Sequence, residues 1–190
     1  MRGHVDQRSL VERAKRGDHD AFATLVAAAA SRLLGTARLI LQDPELAHDA
    51  TQDALIRAWR DLRALRDPDR FDAWLHRLTV NACLDLVRRR RRRPIEVDIA
   101  EFDSTSADDH ASSLAERDLL DNALRRLEPE GRAVIVLHYY LGLPISETAK
   151  ALGIPAGTAK SRLNRAIGLM RGAVMASSEP PAAAHEGQPA

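Results

Sequence analysis

Between Ala156 and Met175 the chain carries Lys160, Arg162, Arg165 and Arg171 and no acid at all. The chemistry open to such residues is binding. A guanidinium fork matches a guanine edge or a phosphate, and an ammonium holds a phosphate as a point charge. At a helical advance, Ala156, Ala159, Leu163, Ala166, Ile167 and Met170 fall on one side. Thr158, Ser161, Asn164 and Arg165 fall opposite, with Lys160 and Arg162 on the flanks and Leu169 as the exception. Just upstream, Ser146 is suited to cap a short helix, Gly153 stands where that helix must stop, and Pro155 suits the first turn of the next. A helix, a tight turn and a second helix with a basic outer face is the arrangement that lays a helix in the DNA major groove.

Two other segments carry charge in a helical register. In Phe71–Arg88, Leu75, Leu78, Val80, Ala82, Cys83, Leu86 and Val87 form a wide apolar side, and Trp74, Arg77, Asn81, Asp85 and Arg88 form one narrow stripe. Trp74 is either a core aromatic or a platform on which a base stacks, and the spacing alone does not choose. Six adjacent arginines, Arg88 to Arg93, follow, and their mutual repulsion favours a polyanionic neighbour. In His48–Arg60, Ala50, Ala54, Leu55, Ala58 and Trp59 face inward, with Leu62 beyond the segment on the same side. Asp49, Gln52, Asp53, Arg57 and Arg60 face out with Ile56 among them. An apolar residue inside a charged face is a mild signal of a protein interface.

The elements that position these residues are helical almost throughout, because the apolar residues recur at the helical period and no alternating strand pattern is found. Residues 9–93 read as a first helical domain, with Asp43-Pro44 and Asp67-Pro68 as punctuation. Residues 94–113 read as a flexible acidic linker, 114–176 as a second helical domain and 177–190 as a disordered tail rich in proline and small residues. In the second domain, Leu120, Leu124 and Leu127 share a face, and Ala133–Leu137 is apolar enough to be buried all round. The net charge of +1 hides an asymmetry: residues 74–93 hold seven arginines against Asp85, a net of +6, while 94–113 carry −6. The 190 residues suffice for two small cores. The single cysteine, Cys83, allows no internal disulfide and reads as an inert core thiol. No early apolar run resembles a signal peptide and none reaches transmembrane length, so a cytoplasmic protein without membrane insertion is expected. There is no metal-spaced Cys/His cluster and no phosphate loop, so neither a metal, a cofactor nor an enzymatic activity is expected.

In this order the three charged segments resemble the extracytoplasmic-function class of sigma factors in the sigma-70 family. Asp49–Trp59 looks like that family's region 2.2, Phe71–Ala82 like regions 2.3 and 2.4, and Gly153–Ala166 like region 4.2. The resemblance implies an all-α fold and a subunit that directs core RNA polymerase to promoter DNA. It assigns Asp49, Gln52, Asp53, Ile56 and Arg57 to core polymerase, whose clamp and flap regions it names as partners. It assigns Arg66, Phe71, Trp74, Arg77, Asn81 and Arg88 to the minus-ten element. It assigns Thr158, Lys160, Ser161, Arg162, Asn164 and Arg165 to the minus-thirty-five element. It adds an anti-sigma factor as a candidate partner. Asn164 stands where relatives often carry a bulkier residue, and Ala159 where Val or Ile is usual. The competing reading is a helix-turn-helix regulator with no role on polymerase.

Overall fold

A computed structural model describes residues 6–92 and 119–178. The expected linker at 94–113 lies outside the described residues, as does the tail from 179 onward. Within the described residues the chain is helical and holds no strand. The first half is α1 (Gln7–Lys15), α2 (His19–Leu41), α3 (Pro44–Asp61), two short 3-10 turns and α4 (Phe71–Arg92). The second is α5 (residues 119–125), α6 (Pro129–Ile135), a π-helical turn (Val136–Tyr140), α7 (Ile145–Leu152) and α8 (Ala156–Ser178).

Local chemistry sets the boundaries in the first half. The Asp18 carboxylate accepts the Ala21 N–H at 3.0 Å and starts α2, and Gln42, at φ 56°, ends it. Asp43 accepts the Leu46 N–H at 3.0 Å, with Pro44 in the first turn of α3, so the Asp-Pro punctuation is a cap followed by proline. Ala47, Ala50, Ala54 and Ala58 are fully buried along α3. Their methyl groups let α3 lie close against both α2 and α4. Val11, Leu33, Leu62, Phe71 and Leu75 close a core that belongs to this half alone.

Contrary to the expectation that no apolar run reaches transmembrane length, α2 could cross a membrane by its length and mean hydropathy (1.4). Here it is the central helix of a bundle, with Leu25, Ala29, Leu33, Ala37 and Ile40 buried against its neighbours.

The second half is not closed on itself. Val134, Val136, Leu137, Leu152 and Leu163 bury their side chains in one core with Ala37, Ile40, Val80, Cys83 and Leu84 of the first half. The sequence reads as two separate small cores, but apolar faces on α2 and α4 left over from the first half are covered by α6 and α7. Arg132 sits at this junction, 7% exposed. Its Nε donates to the carbonyl of Ile40 near the end of α2, and its Nη1 donates to Leu127 O at 2.6 Å and Leu124 O at 3.5 Å. The last carbonyls of a helix have no partner within it, so one guanidinium satisfies the end of α2 and the turn that follows α5 together. Burial pulls its pKa down, and the charges of Glu128 and Glu130 oppose this only in part. Cys83 is buried and its thiol is pushed up to about 12 by desolvation, which makes it the inert core thiol expected.

Two local expectations change. Ser146 does not cap α7, because Pro144 ends the preceding segment in an extended conformation and its carbonyl accepts the Thr148 N–H at 2.9 Å. Leu120 is 49% exposed although Leu124 and Leu127 on its face are buried. Replacement of Arg132 by Met removes the shared donor from three carbonyls, and is expected to lower the unfolding free energy by about 2–4 kcal/mol in urea denaturation.

Candidate nucleic-acid and polymerase interfaces

The helix-turn-helix is built as its residues require. Gly153 ends α7 in the left-handed region at φ 64°, and Ile154 N–H returns to Ala149 O at 3.1 Å. Pro155 O accepts the Ala159 N–H at 3.0 Å and so begins the α8 ladder. Ala159, Leu163 and Ala166 are buried, and Ile167 and Met170 are half-buried. Ala156, expected on that side, is exposed because it is the first residue of the helix, before the packed turn. On the outer face Lys160, Ser161, Asn164 and Arg165 are exposed, with Thr158 and Arg162 half-buried at its edges. The exposed Ser161 hydroxyl donates to Thr158 O at 3.0 Å, and its oxygen can still accept.

The stripe on α4 resolves the question of Trp74. The ring is half-buried: it tilts against Phe71 at a centroid distance of 6.1 Å and also lines a groove of about 450 Å³. Arg66, Arg70 and Arg77 line the same groove. It is therefore a core aromatic on one side and an accessible surface on the other. Phe71 is different. It is fully buried, one of the largest closed side chains in the molecule, and offers no surface to DNA. The resemblance placed it at the minus-ten element; in the structure it is the plug beneath Trp74. Arg77 and Arg88 are exposed and Asn81 is half-buried.

On α3, Asp49 and Gln52 are exposed and Ile56 is 67% exposed, an apolar side chain standing in a charged field. Asp53 and Arg57 are tied inward. Arg57 donates to Asp85 at 2.9 Å and to Asp53 at 2.7 Å, and Arg89 approaches Asp53 at 3.6 Å. Arg88 reaches the other oxygen of Asp85 at 3.4 Å. The hydrogen bond that Arg57 donates to Asp85, with the Asp53 pair, raises the Arg57 pKa against its partial burial. Asp85, expected on the α4 stripe facing DNA, thus joins α4 to the charged face of α3.

Sequence reasoning missed a second groove. About 650 Å³ in volume, it is lined by Leu120, Tyr139, Tyr140, Ile167, Met170 and Val174 among others, and is almost wholly apolar. The π-helical turn turns Tyr139 and Tyr140 outward, 62% and 54% exposed, and helical periodicity could not have anticipated a turn of that pitch.

Two family descriptions match this arrangement: Sigma-70 region 2 over residues 25–93 and Sigma-70 region 4 over residues 117–170. The chain belongs to the sigma-70 family. Within it, it is an extracytoplasmic-function sigma factor. It is similar to the RNA polymerase sigma-E factor of Streptomyces avermitilis, at 37% identity over 73% of this chain and 76% of that one. It is also similar to the ECF RNA polymerase sigma factor SigM of Mycobacterium tuberculosis, at 37% identity over 79% and 75% of the two chains. Among solved structures it resembles CnrH in complex with the cytosolic domain of CnrY. The TM-score is 0.63 at 28% identity, covering 90% of this chain and 99% of that one. The sigma factor RpoE of Bartonella quintana, solved with the anti-sigma factor NepR, shares the fold at a TM-score of 0.60 and 22% identity, over 81% and 96%. The protein is thus an RNA polymerase sigma factor, and not a regulator without a polymerase role.

The two aromatic neighbours of the α4 stripe separate structure from function. Phe71→Ala is expected to cost about 3–5 kcal/mol of stability, whereas Arg77→Ala stays within about 0.5 kcal/mol of wild type. Thermal or chemical unfolding of the two variants checks both.

Proposed function

We propose that the three polar surfaces divide the work of promoter recognition. The outer face of α8, through Lys160, Ser161, Arg162, Asn164 and Arg165, with Thr158 at its start, reads the minus-thirty-five duplex. Trp74, Arg66, Arg77, Asn81 and Arg88 hold the minus-ten element, with the Trp74 ring as a stacking surface for an unpaired base. The Asp49, Gln52 and Ile56 face of α3, supported by Asp53 and Arg57, seats the chain on the clamp of core polymerase, and the second half meets the flap. The observation that carries this reading is the exposed, acid-free face of α8 in a chain whose other half opens an arginine-lined groove beside a tryptophan.

The role is binding, with no catalysis by this chain: the polymerase performs the chemistry, in the cytoplasm where it works. Melting draws on stacking of unpaired bases, roughly 1–3 kcal/mol each. Two modest DNA contacts held on one enzyme also gain from effective concentration.

CnrH is solved with the cytosolic domain of another protein, and this chain carries a partner-sized apolar groove between α5, the π-turn and α8. A groove of that kind suits the apolar face of an amphipathic helix. We assign it to an anti-sigma factor.

Run-off transcription by core polymerase with and without the chain tests the reading. The chain is expected to be required for promoter-specific transcripts. Arg165→Ala is expected to reduce discrimination between the promoter and one with a scrambled upstream element by about 1–3 kcal/mol. Equal transcription without the chain, or unchanged discrimination by the variant, contradicts it.

A further inference from the structure

One acid stands in the α4 stripe. Asp85 follows Trp74 by eleven residues, about 16 Å along the helix axis, and shares a register with Arg77, Asn81 and Arg88. A carboxylate there repels the phosphates that its neighbours attract. Fold stability does not account for it. Its side chain is 39% exposed, and pairs so open to water are worth little. The packing of α3 on α4 rests instead on Ala47, Ala50 and Ala54 with Val80, Ala82 and Cys83.

What Asp85 does is hold arginines. Its Oδ2 accepts from Arg57 at 2.9 Å and its Oδ1 from Arg88 at 3.4 Å. Arg57 is held a second time, by Asp53 at 2.7 Å, so loss of Asp85 leaves Arg57 in place and frees Arg88. Asp85 is the ion-pair partner of Arg88 among the described residues. A guanidinium on a phosphate holds every duplex alike. An arginine free to swing finds a phosphate in any register of any sequence. One held at a carboxylate offers its remaining N–H groups in one place, where a strand seated at Trp74, Arg77 and Asn81 meets them. A strand in another register must first break the Arg88–Asp85 pair, so the carboxylate penalises the wrong register more than the right one.

We propose that Asp85 is a positioning residue for promoter selection: by tethering Arg88 it suppresses sequence-independent hold on duplex DNA and sharpens discrimination at the minus-ten element. This rests on the reading that the α4 stripe meets that element. Asp85 acts through Arg88 and touches no base.

Two measurements test it. One is fluorescence anisotropy of a scrambled-sequence duplex with the full free chain across a salt series. The other is competition, for the holoenzyme, between a promoter fragment and the same fragment scrambled at minus ten. Asp85→Asn is expected to bind the scrambled duplex about two- to five-fold more tightly than wild type. Its slope of log affinity against log salt steepens by about 0.9, the worth of one phosphate contact. Holoenzyme discrimination falls by a similar factor. Asp85→Ser, of different shape, is expected to give the same changes, and melting curves establish that both variants are folded. A loosened helix would move duplex binding the other way. In an Arg88→Gln background, Asp85→Asn is expected to change neither affinity nor slope, because the tethered group is gone. Unchanged or weaker duplex binding by both Asp85 variants, or unchanged discrimination, overturns the proposal. So does a gain that persists in the Arg88→Gln background, which marks a general loss of negative charge. Absence of discrimination by the wild-type holoenzyme overturns the promoter reading itself, and is seen before any variant is tried.

Discussion

The buried guanidinium of Arg132 is the contact through which the two halves of the molecule become one. Helix ends carry carbonyls without partners, and burying two such ends at a junction would be costly without donors. Arg132 supplies them to Ile40 near the end of α2 and to Leu127 in the turn after α5, and it also reaches the Leu124 carbonyl at 3.5 Å. The apolar residues around it then close over the contact: Ile40, Val80 and Cys83 from one side, Val134, Leu137 and Leu152 from the other. The placement of α7, and so of the recognition helix that follows it, descends from this junction.

A similar economy governs the first half. Four buried alanines let α3 approach α2 and α4, and the opposite face of α3 is left to solvent. The network Arg89–Asp53–Arg57–Asp85–Arg88 then ties that face to the end of α4. Each pair is partly exposed and worth little alone. Together they make the surface assigned to polymerase and the arginines assigned to DNA parts of one electrostatic unit.

Much of this was legible from residue types and periods. The helix-turn-helix, the inward faces of α3 and α4 and the core position of Cys83 follow from helical spacing, and Gly153 marks its turn because only a left-handed residue ends α7 there. What was not legible depends on contacts distant in sequence. Phe71 shares a helix with Trp74, and nothing local says that one ring fills the core while the other borders a groove. Asp85 sits in register with Trp74, Arg77 and Asn81, yet Arg57 on another helix claims it. The apolar surfaces that α6 and α7 cover on α2 and α4 look, in sequence, like the interior of a separate domain. The exposure of Leu120, Tyr139 and Tyr140 depends on a π-turn that the 3.6-residue period does not foresee.

The central claim is that α8 and the α4 groove grip two separated stretches of one promoter. Tethered iron-chelate cleavage by the holoenzyme tests it most directly. The probe is placed on Gly157→Cys, where a side chain meets open space, or on the exposed Ala73→Cys at the groove. The native Cys83, buried and with its thiol pushed up to about 12, does not compete for the label. The account predicts cuts near minus thirty-five from the first probe and near minus ten from the second, their centres about two and a half helical turns apart. Cleavage at one shared position from both probes, or none from the Gly157 probe, would contradict it.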